Sequence, residues 1–280
     1  MATINNLFWK RKKVVTLSTK GGVGKTTTSI HFCYHMKKKH SLVYQYVDAD
    51  MQGSGTNHCL GRDFLISDCK GETNSERPRP IPENVKRMVL RLFKDQEPYK
   101  IPNTMKKSGF NTHMNDSAEF YDGFMIDTMG ADAKASREAL VYSDIAIVPV
   151  NPSGLVVSEL HKVLDMVMLC KVHNPNLRVF IVFTRVVSSA KKIAREHIQS
   201  VNQIIETFLE GQDTTKENEK IHVCETVITE RQDVYNNVDI GLNAFELAKG
   251  KTRDVEIQFD TLIDEMEYLY NSVENAQEVA

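Results

Sequence analysis

The sequence predicts an α/β fold, a single domain in which helices cover both faces of a mostly parallel, twisted sheet. Short apolar runs alternate with helical patterns along the 280 residues, and this alternation is typical of βαβ units. Most of the runs consist of Val, Ile and Phe without alternating polar residues, as expected for strands that are buried on both faces. The predicted strands are Val14–Leu17, Leu42–Val47, Gly123–Ile126, Ile145–Val150, Val179–Phe183 and His222–Val227.

The composition is that of an ordinary globular protein and argues against several classes. Hydrophobic residues make up 41% of the chain, charged residues 26%, and the formal net charge is −2. Any affinity for nucleic acid must therefore come from a local patch. The five cysteines form no C-x-x-C pair, which argues against zinc or iron–sulfur sites and favours a cytoplasmic location. The sequence shows neither a membrane-spanning apolar stretch nor the apolar core of a signal peptide.

The first predicted strand leads into a glycine-rich segment, S-T-K-G-G-V-G-K-T-T-T, at residues 18–28. A glycine-rich turn between a strand and a helix lets backbone N–H groups surround an anion, and the positive end of the helix strengthens the attraction. In such a phosphate-binding loop (P-loop), Lys25 is expected to reach the β- and γ-phosphates of a nucleotide and the Thr26 hydroxyl to bind Mg²⁺. The usual pattern begins with glycine, whereas this chain has Thr19 followed by an additional Lys20. The predicted nucleotide-binding residues of the loop are Lys20, Gly21, Gly22, Val23, Gly24, Lys25, Thr26 and Thr27.

The K-G-G-V-G-K-T variant resembles the deviant Walker A box of the ParA/MinD family of ATPases. The resemblance implies ATP and Mg²⁺ as cofactors and a homodimer that forms on ATP binding, in which Lys20 contacts the nucleotide of the partner subunit. It extends from about residue 13 to 247. Residues 227–246, V-I-T-E-R through G-L-N-A-F-E, look like the late segment of plasmid partition proteins of the ParA type.

Acidic residues follow two of the predicted strands. Residues 48–53, D-A-D-M-Q-G, resemble the D-x-D-P-Q-G switch I segment of the family, which implies that Asp50 orients the attacking water and that Asp48 supports the magnesium shell. The apolar run that ends at Asp127 has a Walker B pattern, so this carboxylate is expected to hold Mg²⁺. The catalytic residues implied are therefore Lys20, Lys25 and Asp50. The family usually continues D-x-P-P after this aspartate, but here Met129-Gly130-Ala131 follows, and glycine permits a flexible turn.

Two further sets of residues are candidates for ligand contacts. Thr184 and Arg185 follow a predicted strand at the position where members of the family contact the nucleotide base. ParA-like members bind DNA nonspecifically through exposed basic residues of the carboxyl-terminal half, and a merely solvated helix face is the alternative interpretation here. The DNA-binding candidates are Lys191, Lys192, Arg195, Lys249, Lys251 and Arg253.

The least regular part is a variable insertion at about 60–118, whose basic amphipathic segment 84–94 is expected to be a lid or a packing element. An amphipathic helix is predicted at about 254–273. Residues 253–280 carry one positive and eight negative charges. Helices that bind anionic lipid have Lys and Arg on the polar face, so this helix is expected to dock on the core, and no membrane partner is expected.

Three functions remain open from the sequence. The first is a ParA-type partition ATPase that segregates a plasmid or similar replicon, with nonspecific DNA and a centromere-binding adaptor protein as partners and a nucleoid-associated location. The second is an ATP-dependent switch that positions or assembles a protein complex without DNA. The third is a metabolic P-loop enzyme that activates a small carboxylic acid.

Overall fold

The computed structural model describes residues 7–72, 83–93, 98–130, 133–152, 156–187, 191–231, 235, 238, 241–247 and 253–278. Seven strands form one sheet with the order β3-β2-β4-β1-β5-β6-β7, and every pairing between neighbours is parallel. The strands are β1 (Lys13–Thr16), β2 (Tyr44–Asp48), β3 (Asn103–Met105), β4 (Gly123–Asp127), β5 (Ile145–Val150), β6 (Arg178–Val186) and β7 (Ile221–Thr229).

Helices connect the strands and cover the sheet. Within the described residues they are α1 (Lys25–His40), α2 (Ser54–Cys69), α3 (Glu83–Leu92), α4 (Phe110–Ser117), α5 (Lys134–Tyr142), α6 (Val156–Lys171), α7 (Lys191–Glu210), α8 (Lys216–Glu219), α9 (Ala244–Leu247) and α10 (Arg253–Glu278). The predicted α/β class and the six predicted strands are confirmed.

The two faces of the sheet carry separate cores. Successive side chains of a strand point to opposite faces, and the central strand shows this directly. Val15 packs in a cluster with residues of α4 to α7, whereas Val14 packs in a second cluster with residues of α1 and α10. Helices therefore lie on both faces, as predicted.

Within the described part of residues 60–118 lies one strand that the sequence analysis missed. β3 pairs with β2 at the edge of the sheet, but its residues are polar or exposed, so no apolar run marked it. The segment 84–94 forms most of α3, whose Val85 and Val89 are buried against Leu65 and Leu242. The apolar side of α3 therefore packs on the fold, in agreement with the expected lid or packing element.

Helix α10 docks on the core, as its apolar spacing predicted. Its buried side chains are Val255, Phe259, Leu262, Ile263 and Met266. The basic end of α1 faces its acidic side: Lys38 forms an ion pair with Glu256, and Lys39 Nζ lies 2.6 Å from Asp260 Oδ2. These lysines therefore join two helices, in addition to complementing the dipole of their own helix.

Candidate functional site

The glycine-rich segment forms a turn between β1 and α1, at the carboxyl edge of the sheet. Gly22 has φ = 75° and Gly24 has φ = 94°, and these left-handed values strain any residue with a Cβ atom. Gly24 directly precedes α1, so the amino-terminal N–H groups of that helix open onto the loop. The spacing of the glycines therefore follows from the path of the backbone.

The two lysines of the loop have different environments. Lys25 is only 7% exposed, and its Nζ donates to Ser18 Oγ and to the carbonyl oxygen of Lys20, at 3.4 Å each. Burial lowers the pKa of Lys25, while the negative charges of Asp127 and Asp50 oppose that shift. The side chain of Lys20 is exposed. One lysine therefore faces the interior of the site and the other faces solvent.

Gly130 lies directly against the loop. A Cβ atom at this position would lie 3.1 Å from Lys20 O and 3.1 Å from Lys25 Nζ. The backbone at Gly130 does not have a positive φ, so close approach to the loop, and not a left-handed conformation, favours glycine at this position. The segment after Asp127 is thereby in contact with both lysine residues.

Asp127 is fully buried at the end of β4, and its two carboxylate oxygens accept hydrogen bonds from different strands. Thr16 Oγ1 donates to Oδ1 at 3.0 Å, and the Tyr46 hydroxyl donates to Oδ2 at 2.6 Å. Burial raises the pKa of Asp127 to about 6, and hydrogen bonds from Thr26, Tyr46 and Thr16 limit the rise. The effect of Thr26 on this pKa places the Walker B carboxylate near the loop hydroxyl that is the other predicted Mg²⁺ ligand.

Asp48 organises the segment that follows β2. Its Oδ2 accepts hydrogen bonds from the amide and the hydroxyl of Thr56, both at 2.8 Å, and its Oδ1 accepts one from the amide of Asp50 at 3.1 Å. The carboxylate thus ties the start of α2 to the residue expected to position water. Its role toward magnesium stays a prediction. Asp50 itself is half-buried and lines the cavity in front of the loop.

Thr184 and Arg185 lie at an irregularity in β6, where its register with β7 shifts. The Thr184 hydroxyl donates to the Val23 carbonyl at 2.6 Å. Arg185 has φ = 56°, rare for a residue with a side chain, and its Nη1 donates to the Gly22 carbonyl at 2.6 Å while Nη2 lies 2.8 Å from Glu230 Oε1. Both predicted base-contact residues therefore hold the loop directly.

A cavity of about 580 Å³ joins these elements. It is large enough for a nucleotide. The sequence analysis assigned no individual role to three of its lining residues, Glu230, Tyr235 and Phe259. The first two lie in the segment 227–246, which was matched only as a whole, and the third belongs to the predicted amphipathic helix. The predicted residues on its wall are Gly21, Gly22, Gly24, Lys25, Thr26, Thr27, Asp50, Thr184 and Arg185.

The DNA-binding candidates are only partly covered by the structure. Arg195 on α7 and Arg253 at the start of α10 are exposed. Lys191 and Lys192 belong to the first turn of α7, but their side chains lie outside the described residues, as do Lys249 and Lys251. Among the described helices, none has the length and apolar character needed to cross a bilayer.

Comparisons with known proteins agree with this geometry. A family model described as an AAA domain matches residues 11–179, more than half of the chain. Among curated proteins, no sequence matches significantly.

Three solved structures share the fold at low sequence identity. The Cyanothece McdA–ATP complex is 18% identical, with a TM-score of 0.57 over 92% of this chain and 96% of that one. MinD of Aquifex aeolicus in its complex with MinC is 17% identical, with a TM-score of 0.56 over 91% of this chain and 96% of that one. The pNOB8 ParA structure is 14% identical, with a TM-score of 0.57 over 95% and 99%. The family match, together with the phosphate loop and the parallel sheet, shows that the chain belongs to the AAA-domain family of P-loop ATPases, with the fold of the ParA and MinD structures.

Proposed function

We propose that this chain is a ParA-type partition ATPase that segregates a plasmid or a similar replicon. ATP closes a homodimer, the dimer binds nonspecific DNA of the nucleoid, and a centromere-binding partner protein stimulates slow hydrolysis and release. The observation that carries the proposal is that the two loop lysines have different environments. Lys25 is buried toward the cavity of its own subunit, whereas Lys20 is exposed and available to a second subunit.

ATP is the proposed ligand of the 580 Å³ cavity. The loop amides and the amino-terminal end of α1 bind the phosphates, and Lys25 neutralises the negative charge on the β- and γ-phosphates. Thr184 and Arg185 fix the loop through its carbonyl groups at Val23 and Gly22. The McdA structure that shares this fold is an ATP complex, which supports the choice of nucleotide.

The oxygen atoms present fit a magnesium ion. Mg²⁺ prefers a few hard oxygen ligands, completed by water and substrate phosphates. The Thr26 side chain lies close enough to the Asp127 carboxylate to lower its pKa, and Asp48 lies at the register position next to Asp127 on the adjacent strand. When bound, the ion offsets charge on the phosphate oxygens. Thr26 and Asp127 are the residues that would hold it, with Asp48 in support.

Asp50 is proposed to orient the attacking water. Phosphoryl transfer depends chiefly on positioning and on charge stabilisation, so a carboxylate at the cavity is sufficient for this task. Hydrogen bonds connect Asp50 to the chain on both sides: its amide donates to Asp48, and its Oδ1 accepts from the Gln52 amide at 2.9 Å. Rearrangement of this short segment is the proposed link between hydrolysis and release.

Sedimentation of three variants tests the proposal. Lys20→Ala and Lys25→Ala should both lose ATP-dependent dimerisation, whereas Asp50→Ala should dimerise with ATP and fail to hydrolyse it. The stalled Asp50→Ala dimer should sediment with nonspecific duplex DNA at low salt, and this association should weaken steeply as salt rises because released counterions drive it. A protein that stays monomeric with ATP would refute the role of Lys20. Normal hydrolysis by Asp50→Ala would remove that residue from its role.

A switch that acts on a protein complex without DNA is the second candidate. The observation in its favour is that the MinC:MinD complex shares the fold as closely as the ParA structure does, with TM-scores of 0.56 and 0.57. An ATP-dependent dimer that does not bind DNA at any salt concentration would support this candidate over partition. Retention on DNA with ATP but not with ADP would favour partition.

A further inference from the structure

We infer that Tyr46 is a positioning residue for the metal ligand Asp127, and that its hydroxyl couples this carboxylate to the start of α2. The inference rests on the proposed function, because it assumes that Asp127 holds Mg²⁺. Tyr46 lies in the middle of β2, two residues before Asp48, and belongs to none of the sequence motifs of the site. Its role follows from its contacts.

The hydroxyl fixes one oxygen of Asp127. Tyr46 is fully buried, and its hydroxyl donates to Asp127 Oδ2 at 2.6 Å. The other oxygen accepts from Thr16 Oγ1 at 3.0 Å. Because β4 lies between β2 and β1 in the sheet, hydroxyl groups from both neighbouring strands hold the carboxylate. Its rotation about the side-chain bond is therefore restricted from both sides.

The same hydroxyl also touches α2. A Cβ atom at Gly55 would lie 1.8 Å from the Tyr46 hydroxyl oxygen, so this position must be glycine for the phenol to occupy its place. Gly55 is in the first turn of α2, five residues after Asp50. The phenol is thus in contact with the metal ligand on one side and with the helix that follows the water-positioning segment on the other.

Hydrogen bonds of this kind control metal sites from outside the ligand shell. Partners that orient a ligating group typically contribute 10- to 100-fold to metal affinity. Phenylalanine keeps the aromatic ring but cannot donate to Asp127, so Tyr46→Phe removes the bond without opening a cavity. The carboxylate then keeps the bond from Thr16 and loses the restraint from β2.

Tyr44 supplies a matched control on the same strand. It lies two residues earlier, on the same face, and is also fully buried. Its hydroxyl donates to the carbonyl of Trp9, and its ring lies against Gly123, where a Cβ atom would be 2.4 Å from Cζ. Tyr44→Phe therefore removes an equally buried hydroxyl bond from β2 without changing any contact of Asp127.

Binding of a fluorescent, non-hydrolysable ATP analogue is the test, with Mg²⁺ titrated into wild type, Tyr46→Phe and Tyr44→Phe. Mg²⁺ should increase the affinity for the analogue, and for Tyr46→Phe the Mg²⁺ concentration that gives half of this increase should rise about tenfold. The affinity for the analogue measured in EDTA should stay within about twofold of wild type. Tyr44→Phe should match wild type in both quantities. Thermal unfolding should show a similar loss of stability in both variants, since each loses one buried hydrogen bond.

The possible failures are distinguishable. A wild-type protein that binds the analogue equally with Mg²⁺ and with EDTA would overturn the proposed function and, with it, this inference. A wild type with normal Mg²⁺ dependence, together with a Tyr46→Phe variant that behaves like Tyr44→Phe, would overturn the inference alone. Weaker binding of Tyr46→Phe in EDTA and in Mg²⁺ to the same extent would also overturn it, because that result indicates a general disturbance of the cavity.

Discussion

The cavity has two regions that are held together in different ways. The phosphate end consists of residues 18–28 with Asp50 and Asp127, and its shape follows from the backbone of one short segment and the ends of two strands. The C-terminal wall consists of Arg185, Glu230, Tyr235 and Phe259. The paired ends of β6 and β7 bring Arg185 beside Glu230, whereas Phe259 comes from α10. The first region is therefore specified locally, whereas the second exists only when the whole fold is complete.

Helix α1 connects the two regions. It begins at the phosphate loop, and its His31 stacks on Phe259 with ring centroids 5.0 Å apart. His31 Nε2 also accepts a hydrogen bond from the Ala244 amide at 3.0 Å. The C-terminal wall thus depends on a buried, neutral histidine, whereas glycine conformations and strand ends shape the phosphate end. Changes to the backbone, to pH and to a single side chain should therefore affect the two regions differently.

Gly24→Ala should have the largest effect, because it strains the backbone on which the phosphate end depends. The residue has φ = 94°, and the new Cβ atom would lie 3.6 Å from Thr184 Oγ1. Strain of about 1–3 kcal/mol acts where ATP must bind, so the dissociation constant should rise between about 5- and 150-fold. Calorimetric titration with ATP measures this change.

Gly71→Ala is the control for that experiment. Gly71 also has a positive φ, 75°, but a Cβ atom there meets nothing within 4 Å, and the residue lies beyond α2. It should lower stability by a similar strain energy and leave the affinity for ATP unchanged. Equal affinities in Gly24→Ala and wild type would show that the loop tolerates other backbone conformations.

Acid should weaken the C-terminal wall. Burial lowers the pKa of His31 to about 4 and that of His58 to about 3. The unfolded chain therefore binds more protons than the folded chain below pH 6.5, and the free energy of unfolding falls as the pH drops. Between pH 7 and pH 5 each histidine contributes a loss of about 2 kcal/mol.

The phosphate end acts in the opposite direction. Burial raises the pKa of Asp127 to about 6, so as the pH falls this carboxylate binds a proton in the folded chain before it does in the unfolded chain. This difference offsets about 1 kcal/mol of the loss in the free energy of unfolding over the same pH range. The net loss should be about 3 kcal/mol, measured by urea unfolding at the two pH values. In His58→Gln the loss should fall to about 1 kcal/mol, and an unchanged pH dependence would show that His58 does not contribute.

Arg185→Ala should have the smallest effect of the three changes. The guanidinium group joins the Gly22 carbonyl to Glu230 but is 47% exposed, so its loss should weaken ATP binding by about 1 kcal/mol, roughly fivefold. Lys220→Ala is the matched control, since Lys220 has a similar φ of 53° and bonds Asn176 at 2.9 Å, away from the cavity. A competition assay with a fluorescent nucleotide measures both variants. If they bind alike, Arg185 does not stabilise the loop for binding.

The sequence predicted the phosphate end more fully than the C-terminal wall. In the loop the spacing of the glycines, and in the strands and α10 the spacing of the apolar residues, follow from backbone geometry over short distances. These patterns can be recognised in the sequence alone. Tyr235 and Phe259 reach the cavity through long-range packing, for which no local pattern exists. Tyr46 was missed for a related reason, because a buried tyrosine in an apolar strand resembles ordinary core. The close approach of Gly130 to the backbone of Lys20 could not be predicted either, because it depends on a contact about 110 residues away in the sequence.

The irregular pairing of β6 and β7, which positions Arg185, also affects whether strands of another chain can add to the edge of the sheet. An exposed, regular edge strand is a template for adding strands from another chain. Here one edge is β3, with three residues, and the other is β7, whose register with β6 shifts twice near Arg185. Neither edge offers a long, regular ladder. Any polymer of this ATPase should therefore form by contacts between helix-covered surfaces. Such a polymer should dissociate reversibly into subunits and should not convert into a cross-β aggregate.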